Sequence, residues 1–401
     1  MKFRSLLFAF TVILIANQLI AQKIEIGILN DKMPRKLLIE ASFGKYKVKS
    51  EKKTIYRLKK DRSIILNYTN GFINVSNAKK DFGLHNQLFI EARKYKYDKS
   101  HDKINSKKNN ELTLKIINPK MDAKIYQGNI GFFASKNNMV IENHIGLSDY
   151  LAGVVEAESG PKAEEEYYKN QAVICRTYAL KYPDKHKTDG FNLCDGVHCQ
   201  AYKGKSVLNP LIQKAVNNTD KLVVVDENGE LISSVFSANC GGQTNNSEDV
   251  WTSKVTYLRS IQDQFCTDQR QAKWIKNIDA KDLIKFLNEK SINIADTISI
   301  DSLSFEQLAR KTVYIVNNQE IKLTTIRLGL SLRSTFFNIK PAGEQLIFEG
   351  RGYGHGVGMC QEGAMNMAKK GYKYEEIIKY YYQNVNIIPI GRLKIKVPYY
   401  K

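Results

Sequence analysis

The feature that most constrains this chain is a change of hydrophobic period at Leu147. Before it, alternating or β-branched runs recur at Lys23–Leu29, Leu37–Ala41, Ser63–Tyr68, Leu112–Ile117, Ile130–Phe133 and Met139–Ile141. Gly, Asn, Asp and Lys separate them, the pattern of strands joined by short turns. After Leu147 the apolar positions Leu151, Val154 and Val155 follow helical spacing, with Ser148 as the expected N-cap and Gly160-Pro161 as the stop. A second helix is expected over Ala163–Leu180, and others over Pro210–Val216, Gln361–Lys370 and Tyr374–Tyr382. Strands are expected at Lys221–Val225, Leu231–Ser237 and Leu346–Phe348. Residues 267–325 combine a helix capped by Asp279 with a hairpin turning at Asn317-Asn318. Helices and strands are segregated, not alternating as βαβ units. The expected fold is therefore α+β: mixed, mostly antiparallel strands with helices around a groove, preceded by a β-rich region over residues 22–120. The polar stretch from Tyr97 to Asn110 reads as a mobile loop.

The amino terminus constrains the compartment. Lys2 and Arg4 precede the apolar run Leu6 to Ala16, and Ala21-Gln22 offers a small-residue cleavage point. That is the layout of a secretory signal peptide over residues 1–21, and the h-region is short for a membrane anchor. With it removed, no transmembrane segment is expected, and the mature protein is expected to be periplasmic or secreted. The net charge of +20 favours acidic partners. Export makes nucleic acid the weakest of these, and cell-wall polymer or anionic lipid the stronger. Much of the excess (Lys45, Lys47, Lys49, Lys53, Arg57, Lys59) alternates with Tyr46, Val48 and Leu58, which reads as the solvated face of strands.

Three constellations can carry chemistry. On a helix, Glu158 falls four residues after Val154 and seven after Leu151, sharing their apolar stripe, whereas Glu156 points elsewhere and is expected to face solvent. Desolvation and the negative helix terminus both disfavour a carboxylate there, which suits a general acid. The alternative is that the stripe ends early and Glu158 is a solvated terminal residue. The second constellation is Arg351 to Gly358, where glycine at every other position surrounds His355. It fits neither a phosphate-binding loop nor a dinucleotide fingerprint and reads as a substrate contact or as a group that orients another. The third is His186, Cys194, His198 and Cys199, a tetrahedral zinc inventory in a chain whose export equally suits a Cys194–Cys199 disulfide. Cys175 lies on an apolar helical stretch and reads as a buried thiol.

Taken in order, these segments resemble the stage II sporulation protein D and amidase-enhancer (SpoIID/LytB) family. The likeness runs over roughly residues 125–390. It is carried by Tyr126-Gln127-Gly128, Asn143 to Glu158, Lys169 to Ala179 and Gln200 to Gly204. It continues through Ser237 to Thr244, Val250-Trp251, Tyr257-Leu258, Arg327 to Leu330, Arg333-Ser334 and Gly352 to Ala364. Residues 121–390 are accordingly expected to form the catalytic domain, with 391–401 as a tail.

The resemblance implies a peptidoglycan lytic transglycosylase cleaving between MurNAc and GlcNAc, with Glu158 as acid/base. The alternative it implies is a non-catalytic peptidoglycan-binding module that enhances a cell-wall amidase. Glycan strands are thus the expected partner, and an amidase a second one. By position in the matched blocks, substrate-binding residues are expected at Arg176, Tyr178, Tyr202, Ser237, Gly241, Gly242, Thr244, His355 and Gln361. The resemblance also favours structural zinc at Cys194, His198 and Cys199, with His186 as an approximate fourth ligand. Here Ser159-Gly160-Pro161 moves the family's proline one place along. Cys240 and Cys360 stand where the family commonly has serine, which suggests that they are neighbours and pair as a disulfide.

Overall fold

The computed structural model describes residues 23–93, 110–295 and 297–395. The signal-like segment, and residues 97–109 of the expected loop, lie outside the described residues.

Two sheets form the amino-terminal part. One has six strands, in the order Lys124–Gln127, Glu111–Asn118, Lys36–Phe43, Ser63–Thr69, Phe72–Ser76 and Asp81–His85, all antiparallel neighbours. The other has seven, running from the short strand Leu193–Cys194 through Lys23–Gly27, Met139–Gly146, Asn129–Ala134, Gln87–Ala92 and Lys45–Ser50 to Lys53–Lys59. Period-2 patterning sets which face is inward: Leu37, Ile39 and Ala41 are buried while Lys36 and Glu40 are exposed. The early lysines obey the same rule. Tyr46, Val48 and Leu58 point inward, and Lys45, Lys53, Arg57 and Lys59 into solvent.

The strand Lys23–Gly27 pairs with Met139–Gly146, so the sheet runs past residue 120 and up to the first helix. That helix, α1 (Leu147–Ser159), continues directly from the strand. Its N-cap position is Gly146 and not Ser148, which lies inside the first turn because the strand runs straight into the helix, two residues ahead of the expected cap. Next come α2 (Glu165–Lys181), α3 (Pro210–Asn218) and the short α4 (Ser247–Val250). Asn209 caps α3, its side chain accepting from the Leu211 N–H at 2.9 Å. Helix α2 is buried on nearly every side and packs against α1 and α3. One continuous core joins it to both sheets and to the last helices.

Residues 273–351 form a unit with a separate core of Leu283, Leu287, Leu303, Tyr314, Ile326, Phe337 and Phe348. It comprises an antiparallel sheet of Lys273–Asp279, Gln345–Arg351 and Phe337–Ala342, with α5 (Ala280–Glu289) and α6 (Leu323–Gly329). The expected hairpin is present. Val313–Val316 pairs with Gln319–Lys322 through Asn317 and Asn318, at φ 49° and 55°. Asparagine tolerates this left-handed region, and the pair fits a two-residue hairpin turn. The chain then returns to the main body for α7 (Gln361–Lys369) and α8 (Tyr374–Tyr381). The whole is α+β and mostly antiparallel, as the sequence pattern requires.

Candidate functional site

Helix α1 carries the central carboxylate. Its residues Tyr150 to Val155 are all buried, and exposure begins only at Glu156. Glu158 therefore sits one residue from the helix end, half-buried, and its side chain faces an open groove of about 650 Å³. The Ala201 N–H donates to Glu158 Oε1 at 2.7 Å. Burial raises its pKa above the ordinary glutamate value, while the Ala201 N–H and the charge of Lys203 pull the other way. Gly153 makes this contact feasible. A Cβ there would lie 2.2 Å from the Gly204 carbonyl oxygen, so only glycine lets α1 approach the loop that supplies Ala201.

The groove walls come from four segments: Tyr178, Tyr182 and Lys185; His198 to Gln200; Ser234 to Ala238 with Trp251; and His355 with Gln361. Glu158 is the one carboxylate lining it among the described residues. The acids that proximity in the fold might have supplied are engaged elsewhere. Asp195 accepts from the Leu29 N–H at 2.9 Å, Glu248 pairs with Arg259, and Asp249 lines a different surface cleft.

His355 is half-buried, and its Nδ1 accepts from the Val357 N–H at 3.0 Å, which leaves the ring proton on Nε2. Burial, with the charges of Arg327 and Arg310, pulls its pKa down to about 4, so the ring is neutral at physiological pH. It packs against the indole of Trp251 at 5.2 Å between centroids. Trp251 is 43% exposed, an aromatic face open to the groove that the expected site residues omit. The Ser237 hydroxyl is buried and has no hydrogen-bond partner in the structure, leaving its capacity for a ligand. The Gln361 side chain reaches the Glu158 carbonyl at 3.4 Å.

Of the expected contacts, Tyr178, Ser237, His355 and Gln361 line this groove. Five others do not. Arg176 is fully buried in α2, donating to the Val216 and Leu222 carbonyls, and holds α2 to the following strand. Tyr202 is buried against Tyr150, its hydroxyl donating to Asn143 Oδ1 at 2.9 Å. Thr244 is buried and accepts from the Ile261 N–H, while Gly241 and Gly242 line a separate cleft beside Arg351. In each case a residue of a matched block lies in the core or at a separate cleft. Glu156 also departs from expectation. It accepts from the N–H groups of Val207 and Leu208 and from the Ser206 hydroxyl, anchoring the loop that follows Gly204.

The groove rim holds the first cysteine and histidine cluster. One donor atom from each of His186, Cys194, His198 and Cys199 lies within 4.8 Å of the other three. His186 Nε2 and His198 Nδ1 face each other at 3.1 Å, and Asp189 contacts His186 Nδ1 at 2.7 Å. A carboxylate on the outer nitrogen of a ligating imidazole is the usual way such a ring is oriented. The donor set and its convergence fit a tetrahedral zinc ion, and Cys194 and Cys199 are free thiols. The same loop continues into Gln200 and Ala201, so whatever fixes it also fixes the donor to Glu158.

The expected Cys240–Cys360 disulfide is not formed. The two residues are neighbours, but both are free thiols, and Cys266 and Asp263 share their pocket.

The fold and groove define a class: an α+β protein with a solitary half-buried glutamate between aromatic and amide walls. Residues 135–225 match the family described as stage II sporulation protein (SpoIID). The chain is 32% identical over 272 residues to an uncharacterized protein of Brachyspira hyodysenteriae, covering 67% of this chain and 73% of that protein. It is 29% identical over 266 residues to stage II sporulation protein D of Bacillus subtilis, covering 62% of this chain and 76% of the relative. Against the amidase enhancer of Bacillus subtilis it is 30% identical over 292 residues, 59% of this chain and 40% of that one. The chain belongs to the SpoIID family.

Proposed function

We propose that the chain is a cell-wall protein that cleaves peptidoglycan glycan strands as a lytic transglycosylase, with Glu158 as its acid/base. The observation that carries this reading is the solitary carboxylate: a half-buried glutamate of raised pKa in a groove that no second acid lines among the described residues. A hydrolase of the ordinary kind needs two carboxyl groups, about 5–10 Å apart, to act on both the leaving oxygen and the incoming water or carbon. One suffices when the substrate brings its own nucleophile. Protonated Glu158 gives its proton to the glycosidic oxygen as the C1–O bond breaks. The resulting carboxylate then takes the proton of the muramic 6-hydroxyl as that oxygen bonds to C1. The carboxyl is restored, no water is consumed, and the new end is an anhydro sugar.

The remaining groups have supporting tasks. The Ala201 N–H orients the carboxyl and stabilises its anionic form midway. Trp251 and Tyr178 offer flat faces to sugar rings, and Ser237 and Gln361 offer hydrogen bonds. His186, Cys194, His198 and Cys199 would hold a structural zinc ion, which supplies a cross-link that fixes the loop leading to Ala201. The proposed location is the periplasm or the exterior. Among the described residues no helix is long and apolar enough to cross a membrane.

The similarity to a protein named amidase enhancer gives the second reading, in which the same groove grips glycan without cutting it. Purified protein incubated with glycan strands, then mass spectrometry of the ends, separates the two. Anhydro-sugar ends support the transglycosylase. Uncut strands together with stimulation of a wall amidase support the enhancer.

A further inference from the structure

Cys240, Asp263, Cys266 and Cys360 are all completely buried, and one donor atom from each lies within 4.8 Å of the others. They come from three places in the chain: the loop after Ser237, the segment Asp263–Cys266, and the residue that precedes α7. Cys240 Sγ lies 3.5 Å from Cys266 Sγ and 3.2 Å from Asp263 Oδ2. Zinc–sulfur bonds of about 2.3 Å place two tetrahedral thiolates about 3.8 Å apart, a few tenths of an ångström from what is seen.

The surroundings are arranged for anionic sulfur and oxygen. The Cys240 N–H donates to Cys360 Sγ at 3.2 Å, and the Gly242 N–H to Cys266 Sγ at 3.3 Å. Asp263 is held by the Phe265 N–H on Oδ1 at 2.9 Å and by the Tyr381 hydroxyl on Oδ2 at 3.0 Å. Gly363 leaves the room for this. A Cβ there would lie 2.2 Å from the Tyr381 hydroxyl and 2.5 Å from Asp263 Oδ2. Arg310 donates to the Cys240 carbonyl at 2.6 Å, bringing a guanidinium to the edge of the cluster. A disulfide answers this chemistry poorly. Pairing any two of the three sulfurs leaves the third thiol and the Asp263 carboxylate buried side by side with no shared partner.

The geometry points to a second structural metal site, in which Cys240, Cys266, Cys360 and Asp263 bind one zinc ion. The site is closed, with four protein ligands and no exposed position, so the ion is a staple and not a reaction centre. Its placement says what it staples. The unit 273–351 leaves the main body after Cys266 and returns before Cys360, so both of its connections pass the metal. Ser237 and Gln361, two walls of the glutamate groove, lie three residues and one residue from the ligands Cys240 and Cys360.

The mature full-length protein is tested by native mass spectrometry and zinc-edge X-ray absorption. With both zinc sites filled, two ions per chain are expected, with an average shell of between two and three sulfurs. Cys266→Ser should remove one ion, and Cys194→Ser with Cys199→Ser should remove the other and leave a shell of three sulfurs and one lighter atom. If the rim site alone fails, wild type shows one ion with that three-sulfur shell, and the present inference stands. One ion bound by two sulfurs and two nitrogens overturns it. So does a native mass and thiol count showing two of these three cysteines joined as a disulfide. The wild-type absorption shell decides the matter even if the serine variants do not fold.

Discussion

The two cores of this protein treat polar side chains differently. Around α2 the core buries Asn143, Asn170, Gln171, Arg176, Thr177 and Gln200. In the unit 273–351, the buried polar residues among those described are Gln307, Ser334 and Thr335, beside a core that is otherwise apolar and aromatic. The groove around Glu158 is lined wholly from outside that unit. A core that must hold several loops at defined heights around a glutamate uses buried hydrogen bonds to fix them, because apolar contacts lack direction. A core that only has to fold does not need them.

The largest expected effect lies in the first region. Glu158→Gln keeps size and hydrogen-bonding reach but cannot exchange a proton at neutral pH. It should lower glycan cleavage by about 10²–10⁴-fold while the fold and glycan binding persist. In the second region Leu283→Ala should cost about 2–5 kcal/mol, seen by denaturant unfolding, because a fully buried leucine leaves a cavity. Cleavage measured well below the unfolding transition should be unchanged. A loss of activity with the unit still folded would show that the two regions are coupled more tightly than their separate cores suggest.

Glu156→Gln sharpens the comparison within one helix. It weakens the anchor of the loop at 206–208 and should reduce stability by about 1–2 kcal/mol, with cleavage within a few-fold of wild type. Equal loss of cleavage in Glu156→Gln and Glu158→Gln would break the assignment of roles. The smallest effect is expected from Trp251→Ala. Removing an exposed aromatic face should weaken glycan binding by about 1 kcal/mol, roughly fivefold, with little change in kcat.

Much of the architecture is legible in the sequence because strand and helix periods are local. The inward set Leu37, Ile39 and Ala41, the hairpin at Asn317-Asn318 and the helix Gln361–Lys369 all follow from pattern. For Glu158 periodicity gives the α1 stripe but leaves open whether the stripe reaches it, and the structure has it half-buried on the groove. What periodicity leaves open is which distant loop covers a given face. Glu156 is turned from the α1 stripe, yet the 206–208 loop returns to bind it. Arg176 and Tyr202 sit in motif blocks but serve the core, since two carbonyls of neighbouring segments and the Asn143 amide claim their polar atoms. Cys266 carries no local signal at all. It is 26 residues from Cys240, and only the return of the chain at Cys360 gives its sulfur a context.

The central claim is that one glutamate, whose burial favours its protonated form, supplies both acid and base. Its most direct test is a titration of Glu158 itself. Protein carrying ¹³C-carboxyl glutamate is followed by NMR across pH, with the resonance absent from Glu158→Gln as the assignment, and kcat/KM is measured on the same samples. Burial raises the pKa of Glu158, so its protonated form survives to higher pH than an ordinary glutamate, and the favourable term it adds to folding is lost as pH rises through that value. The account predicts a Glu158 resonance titrating above the ordinary range, with kcat/KM falling at high pH along the same curve. A carboxyl that titrates at or below the ordinary glutamate value, or a rate that does not follow it, would contradict the account.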